Sequence, residues 1–132
     1  MRRAEQREWL VKLAYETQAS QDAQIEELLS AHELPEESYL LQSLASLFQH
    51  CASIDQIIEE NLKRWRLERV MRIDLAILRV AVNEMCFTKL APVRVTINES
   101  VELAKRYSDE GSYRFVNGVL SGVAKKMDEE KA

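Results

Sequence analysis

The sequence predicts an all-α protein, a compact bundle of about seven short helices, and three observations lead to that prediction. Apolar residues recur at three- and four-residue steps along most of the chain, which is the spacing of one helix face. The 132 residues include only 3 glycines and 2 prolines, too few for the turns of a many-stranded fold. Hydrophobic residues make up 46% of the chain and charged residues 30%, which is typical of a folded domain. We therefore expect a single domain over residues 1–132.

Three helices are predicted in the amino-terminal part of the chain. The first spans residues 2–19, and the second follows Ser20. A third begins after the stretch "HELPEE", where Pro35 suits a first-turn position, and it runs to Cys51. The apolar faces consist of Trp9, Leu10, Leu13 and Ala14 in the first helix, Ile25, Leu28 and Leu29 in the second, and Leu40, Leu41, Leu44, Leu47 and Phe48 in the third.

Capping patterns predict where the next three helices begin. The stretches "SIDQ" (53–56) and "TINE" (96–99) have the spacing of a capping box, so Ser53 and Thr96 are expected to start the fourth and sixth helices. Asp74 is expected to cap the fifth helix, after a bend in the chain. The apolar faces consist of Ile54, Ile57, Ile58, Leu62 and Trp65 in the fourth helix and Ile77, Leu78, Ala81, Val82 and Met85 in the fifth.

The seventh helix contains two glycines in an apolar run. The sixth helix ends at Tyr107, and after the loop "SDEGS" the seventh is predicted over roughly 112–127. Gly118 and Gly122 each cost a helix roughly 1 kcal/mol against alanine, so a close approach of something to the bare backbone is expected. Packing of another helix is the preferred explanation, and a partner or an RNA strand is the alternative. The apolar face consists of Val116, Val119, Leu120, Val123 and Met127.

Charge is distributed unevenly along the chain. The net charge is −4, yet residues 13–62 contain 10 acidic residues and no Lys or Arg. The remainder holds all 18 basic residues, which concentrate in "MRRAEQREWLVK" and "KRWRLERVMR". A polyanion is able to bind these basic stretches despite the negative total, because the local potential governs binding. Solvated helix faces are the alternative explanation for each run.

The sequence contains no recognisable motif of a metal, nucleotide or catalytic site. His32 and His50 each have a leucine three residues earlier, so the Glu-x-x-His pairs of a di-iron bundle are missing. No His-Glu-x-x-His pattern, Cys-x-x-Cys pair or phosphate loop occurs. We therefore expect a protein that is not an enzyme and has no cofactor.

Two features bear on the compartment. No apolar run approaches the length of a membrane span, and "MRRAEQREW" lacks the apolar stretch of a signal peptide, so a cytoplasmic protein is expected. Cys51 and Cys86 lie among apolar neighbours and are predicted to be buried free thiols, with a single disulfide as the alternative.

Two stretches of the second half resemble the NusB family of bacterial transcription antitermination factors. They are "LERVMRIDLAILRVAVNEM" and "PVRVTINESVELAKRYSDEGSYRFVNGVL", whose "ILRVA", "INESVELAK" and "FVNGVL" helices follow in the family's order. The resemblance is strong over roughly residues 62–123. The first helix, which ends in "LVKLAYE", resembles the family's amino-terminal helix more loosely.

The resemblance implies an architecture, a function and partners. It implies two small helical subdomains, here roughly 1–51 and 53–127, and no catalysed reaction. It implies binding of boxA-type single-stranded RNA from ribosomal RNA transcripts, together with NusE, a small-subunit ribosomal protein. Other Nus factors and RNA polymerase are implied as indirect partners in suppressing premature termination.

Four residues are candidate RNA contacts. Arg3 and Arg7 match basic positions of the family, and with Val11 and Tyr15 they lie four residues apart on one helical ridge. Arginine binds phosphate, and an aromatic ring stacks on an unpaired base. Phe115 belongs, by the resemblance, to the RNA-contacting surface. The alternatives are solvated arginines, a Tyr15 at the edge of the core and a Phe115 inside the core.

Glu68 and Asp74 match acidic positions that in the family face the ribosomal-protein partner, and basic ribosomal proteins suit such acids. Lys63, Arg64 and Arg66 are a second-ranked extension of the RNA path. The arginine-rich amino terminus of the family is diluted here by Glu5 and Gln6. A helical adaptor that binds protein and little RNA is therefore the alternative function.

Overall fold

Seven α-helices and two short segments of other helical types make up the part of the chain that the structure describes. The computed structural model describes residues 1–64 and 66–131. A 3₁₀ turn, Leu67–Arg69, precedes α5, and a π-helical segment, Glu84–Thr88, continues it. The described residues contain no strand, and the predicted all-α class with seven helices is confirmed. The α-helices are α1 (Arg3–Thr17), α2 (Ile25–Ala31), α3 (Ser38–Gln49), α4 (Cys51–Glu60), α5 (Arg72–Asn83), α6 (Val93–Tyr107) and α7 (Ser112–Lys131).

Helix α5 is the centre of the bundle. It packs against α1, α3, α4, α6 and α7, and each of its residues from Asp74 to Asn83 is buried. Each of the five residues of its predicted apolar face is at most 1% exposed. The buried Arg79 is paired with Asp55 of α4 through Nε at 2.8 Å and Nη2 at 3.0 Å. Buried apolar side chains from both halves of the chain form one cluster, and the division into subdomains 1–51 and 53–127 stays a prediction.

The predicted capping residues are wrong at all three positions. Helices α4, α5 and α6 begin two or three residues earlier than expected, so Ser53, Asp74 and Thr96 lie inside them. Asp74 and Thr96 hydrogen-bond to other elements instead of to their own helix, as described below. Tertiary partners thus outcompete the local cap that the spacing suggested.

Other boundaries differ by a few residues. Pro35 lies outside α3, which begins at Ser38, and α4 ends at Glu60, so Leu62 follows the helix rather than continuing its face. Trp65 lies outside the described residues. Helix α7 extends to Lys131, four residues past the expected end.

Close packing explains one of the two glycines of α7. A Cβ on Gly122 would lie 2.6 Å from Asn61 Oδ1, so the bare backbone there admits the residue that follows α4. The Asn61 side chain is itself held, because its Nδ2 donates to Ile57 O at 2.9 Å. A Cβ on Gly118 would meet no heavy atom within 4 Å among the described residues. Helix packing therefore accounts for Gly122 but not for Gly118.

Cys51 and Cys86 are free thiols, as predicted, and they are half-buried rather than buried. Burial raises the pKa of the Cys86 thiol, which disfavours the reactive thiolate.

Candidate nucleic-acid interface

Arg7 lies in a buried polar network. Its Nε and Nη2 donate to Glu84 Oε1 at 3.2 and 2.9 Å, and Thr96 Oγ1 donates to the same oxygen at 2.8 Å. The Arg7 and Glu84 side chains are only 7% and 4% exposed. The network ties α1, the π-helical segment and α6 together. This placement corrects the expectation of an exposed arginine, because burial leaves the guanidinium little surface for a phosphate.

Arg3 is the exposed arginine at the same end of α1. Its Cζ lies 4.0 Å from the centroid of the Tyr39 ring, and its Nη1 lies 3.5 Å from Leu90 O. Burial raises the pKa of the Tyr39 hydroxyl, and the neighbouring carboxylate of Glu84 adds to that shift. Arg3 therefore stacks on a neutral ring and keeps its charge toward solvent.

Tyr15 lies at the other end of α1. It follows Arg3 by twelve residues, which is about 18 Å along a helix. Its side chain is 42% exposed, and Arg72 Cζ at the start of α5 lies 5.4 Å from the ring centroid. Arg7 and Val11, between the two, are buried. The predicted ridge is therefore not one continuous exposed surface.

Phe115 lines a groove beside α7. The ring is half-buried and packs against the hydrophobic core. The groove has a volume of about 410 Å³ and lies between α7 and the chain that follows α4. Gly118 lines it too, and no heavy atom of the described residues lies within 4 Å of a Cβ placed there. The lining residues are Asn61, Leu62, Lys63, Arg64, Arg114, Phe115, Gly118 and Val119.

The groove combines an aromatic ring with three cations. Lys63, Arg64 and Arg114 are exposed, and Leu62 and Val119 supply apolar surface. Sequence reasoning ranked Lys63 and Arg64 second and missed Arg114, although it directly precedes Phe115. A ring flanked by cations is the arrangement that binds a base and its neighbouring phosphates in single-stranded nucleic acid.

Helices α1 and α7 are packed mainly against other helices. Helix α1 makes its main contacts with α5 and α3, whereas α7 makes its main contacts with α6 and α5. Helices α1 and α7 therefore do not pack side by side as main neighbours. Tyr15 contacts Arg72 after residues 61–71, and Phe115 shares its groove with Lys63 and Arg64 within them. The two rings thus contact residues toward opposite ends of the segment 61–71, whereas Arg3 contacts Tyr39 and Leu90.

The two acidic candidates have different surroundings. Glu68 is exposed, in the 3₁₀ turn. Asp74 is 4% exposed, and its Oδ1 lies 2.5 Å from Ser108 Oγ, which lies 3.0 Å from Ser112 Oγ. Asp74 therefore holds the loop between α6 and α7 to the start of α5, instead of presenting its carboxylate at the surface as expected.

Within residues 1–64 and 66–131, no group of three or more His, Cys, Asp or Glu side chains is placed to hold a metal ion. No helix in those ranges is long and apolar enough to cross a bilayer.

The chain is similar to proteins of one family. Residues 4–125 match the NusB family. A protein of Acetivibrio thermocellus named transcription antitermination protein NusB is 42% identical over 130 residues, which cover 95% of this chain and 90% of that protein. The structure of T. maritima NusB matches with a TM-score of 0.83 and 30% identity, covering 95% of this chain and 92% of that one. A chain in a crystal structure titled as a plectonemic RNA supercoil matches with a TM-score of 0.77 and 28% identity, covering 96% and 97%.

Proposed function

The chain belongs to the NusB family, and from that membership we propose that it is a transcription antitermination factor that binds boxA-type RNA of ribosomal RNA transcripts together with NusE. It acts by binding and catalyses no reaction. Other Nus factors and RNA polymerase are its indirect partners, and transcription places its action in the cytoplasm.

The observation that carries the RNA part of this proposal is the Phe115 groove. A base on the Phe115 ring contributes about 1–3 kcal/mol, a typical stacking energy. Lys63, Arg64 and Arg114 line the same groove and supply the positive charge that neighbouring phosphates need. No described heavy atom lies within 4 Å of a Cβ placed on Gly118, which leaves room beside the ring for a base.

The other predicted site residues take narrower roles in this proposal. Tyr15 is exposed enough to stack on a base, and Arg3 is exposed enough to meet a phosphate. Arg7 supports α1 from inside the fold. Glu68 is the acidic residue that can meet NusE directly, whereas Asp74 supports that face by fixing the loop between α6 and α7.

One observation favours the second candidate, a helical adaptor that binds protein and little RNA. The buried pairing of Arg7 removes one of the two expected arginines of α1 from the RNA surface. The remaining one, Arg3, is followed closely by Glu5, which is also exposed.

A fluorescence titration of boxA-type RNA at several salt concentrations, with and without NusE, separates the two candidates. Antitermination through RNA predicts binding whose affinity falls steeply with salt, because phosphate contacts release counterions. The adaptor predicts capture of NusE with no salt-dependent RNA binding by the complex beyond that of NusE alone.

A further inference from the structure

The segment between α4 and α5 concentrates positive charge. We refer to residues 61–71 as the basic connector. It contains Lys63, Arg64, Arg66 and Arg69 against one acid, Glu68. All four cations are exposed, and none of them forms an ion pair with any residue in ranges 1–64 and 66–131. Like charges gathered in this way repel each other unless an anion comes between them.

Two of the arginines lie at the two ends of one closed turn. Arg66 directly precedes the 3₁₀ turn, and Arg69 ends it. Arg69 N–H donates to Arg66 O at 2.9 Å, which closes the turn and holds the backbones of the two residues near each other. Both residues line one hollow.

The connector is anchored to the bundle directly after each of these two arginines. The Leu67 N–H donates to Glu59 Oε2 of α4 at 3.3 Å. Val70, directly after the turn, is 6% exposed and belongs to the hydrophobic core. The backbone that carries the cations is therefore held in place before any ligand arrives, which lowers the ordering cost of binding.

The connector is continuous with the Phe115 groove. Arg64, Arg66, Glu68 and Arg69 line a second hollow of about 600 Å³. Arg64 lines both the groove and this hollow. Among the described residues, Arg64 is common to both, so a ligand in the groove lies next to the hollow.

We propose that single-stranded RNA with a base on the Phe115 ring continues along the basic connector, with its phosphates at Arg64, Arg66 and Arg69. This inference rests on the proposed RNA-binding function and adds a track to it. A polyanion fits the hollow because three of the four described residues that line it are cations. Glu68 also lines the hollow, so the proposed NusE contact adjoins this track, but three arginines repel a basic protein that would fill the hollow itself.

The test is the salt dependence of RNA binding by the full chain with Arg66→Ala and Arg69→Ala combined. Each lost phosphate contact of a single strand lowers the slope of log affinity against log salt by about 0.7, so the double variant should lose about 1.4. The affinity loss should be the same fold-change for boxA-type RNA and for an unrelated single strand of equal length, because phosphate contacts carry no sequence information.

The matched control combines Arg94→Ala with Lys125→Ala, which removes the same charge from two exposed residues of α6 and α7 that line neither hollow. Its slope should stay within the error of the wild-type value. Thermal melting should show both double variants folded, with the connector variant at least as stable as the wild type because it relieves repulsion.

Three outcomes overturn the proposal. A connector variant whose slope equals that of the control shows that the RNA does not follow the hollow, while RNA binding itself stands. A connector variant that binds RNA normally but no longer captures NusE shows that the hollow faces protein. If the wild-type chain binds neither the boxA-type RNA nor the unrelated strand, alone or with NusE, both the proposed function and this RNA track are wrong.

Discussion

Among the described residues, charged side chains are buried and paired at one end of α5, and they are exposed and unpaired before its other end. At its carboxyl end, Arg7, Glu84 and Thr96 form a buried network that we call the paired end. Before its amino end, Arg64, Arg66 and Arg69 are exposed without an ion pair among the described residues, and we call this the unpaired end. Arginine thus stabilises the fold where it pairs with a buried carboxylate. Where it is exposed and has no carboxylate partner, it is available to a ligand.

The largest effect is expected from removing Arg7, the cation of the paired end. Arg7→Ala leaves the Glu84 carboxylate buried without its cation, so the free energy of unfolding should fall by about 3–5 kcal/mol. Urea denaturation measures this loss. Removing both partners, Arg7→Ala with Glu84→Ala, should cost less than Arg7→Ala alone if the stranded charge dominates. The matched change at the unpaired end, Arg66→Ala, should stay within about 0.5 kcal/mol of the wild type.

A surface role for Arg7 would contradict this difference between the two ends of α5. An Arg7→Ala protein with wild-type stability and a flatter salt dependence of RNA binding would show that its guanidinium meets phosphate.

The next effect concerns the ring beside the unpaired end. Phe115→Ala should weaken RNA binding by about 1–3 kcal/mol with an almost unchanged salt slope, since stacking involves no counterion release. A fluorescence titration with boxA-type RNA measures both quantities. If the Phe115 ring belongs to the hydrophobic core, the same substitution should instead lower the free energy of unfolding by about 3–5 kcal/mol. A variant that melts far earlier yet binds RNA normally while folded would assign the ring to the fold.

A smaller effect separates the two acidic residues. Asp74→Asn should lower the free energy of unfolding by about 1 kcal/mol, because it weakens the hydrogen bond that Ser108 donates to the charged carboxylate. Glu68→Lys should leave stability unchanged, weaken capture of NusE by repulsion and steepen the salt slope of RNA binding. Melting, pull-down of NusE and RNA titration measure the three quantities. If the Glu68→Lys protein is folded and still captures NusE fully, Glu68 does not contact NusE.

The smallest effect distinguishes the two glycines. Gly118→Ala should raise helix stability by up to about 1 kcal/mol, because a methyl group there meets no heavy atom of the described chain. The same methyl narrows the groove and should weaken RNA binding. Gly122→Ala should gain less or lose stability, since Asn61 must move. Melting and RNA titration of both variants decide this, and unchanged RNA binding by Gly118→Ala would argue against a base in the groove.

The fold was predictable because its signals are local. The apolar face of α5 repeats at helical spacing, and all five of its predicted positions are buried. Helix starts were less predictable, since Thr96 has the spacing of a cap yet hydrogen-bonds to Glu84, twelve residues away. Whether a polar side chain caps its own helix or bonds to another element depends on packing that the spacing does not encode.

The candidate site was only partly predictable for a related reason. The partner of Arg7 is 77 residues away in the chain, so no local pattern indicates that this arginine is buried while Arg3 is exposed. The basic connector was visible as a charged run. Its continuity with Phe115 depends on α7 returning to the end of α4, which only the three-dimensional structure shows.

The separation between Arg7 and Glu84 also sets an order of events during synthesis. Helix α1 is made first, and its carboxylate partner is translated 77 residues later. At about 5–20 residues per second, that separation corresponds to roughly 4–15 s on the ribosome. Helix α3, which also packs against α1, is made about midway through this interval, whereas α5 is complete only near its end. Helix α1 is therefore the first helix to be synthesised but completes its buried contacts only after residue 84 has been made.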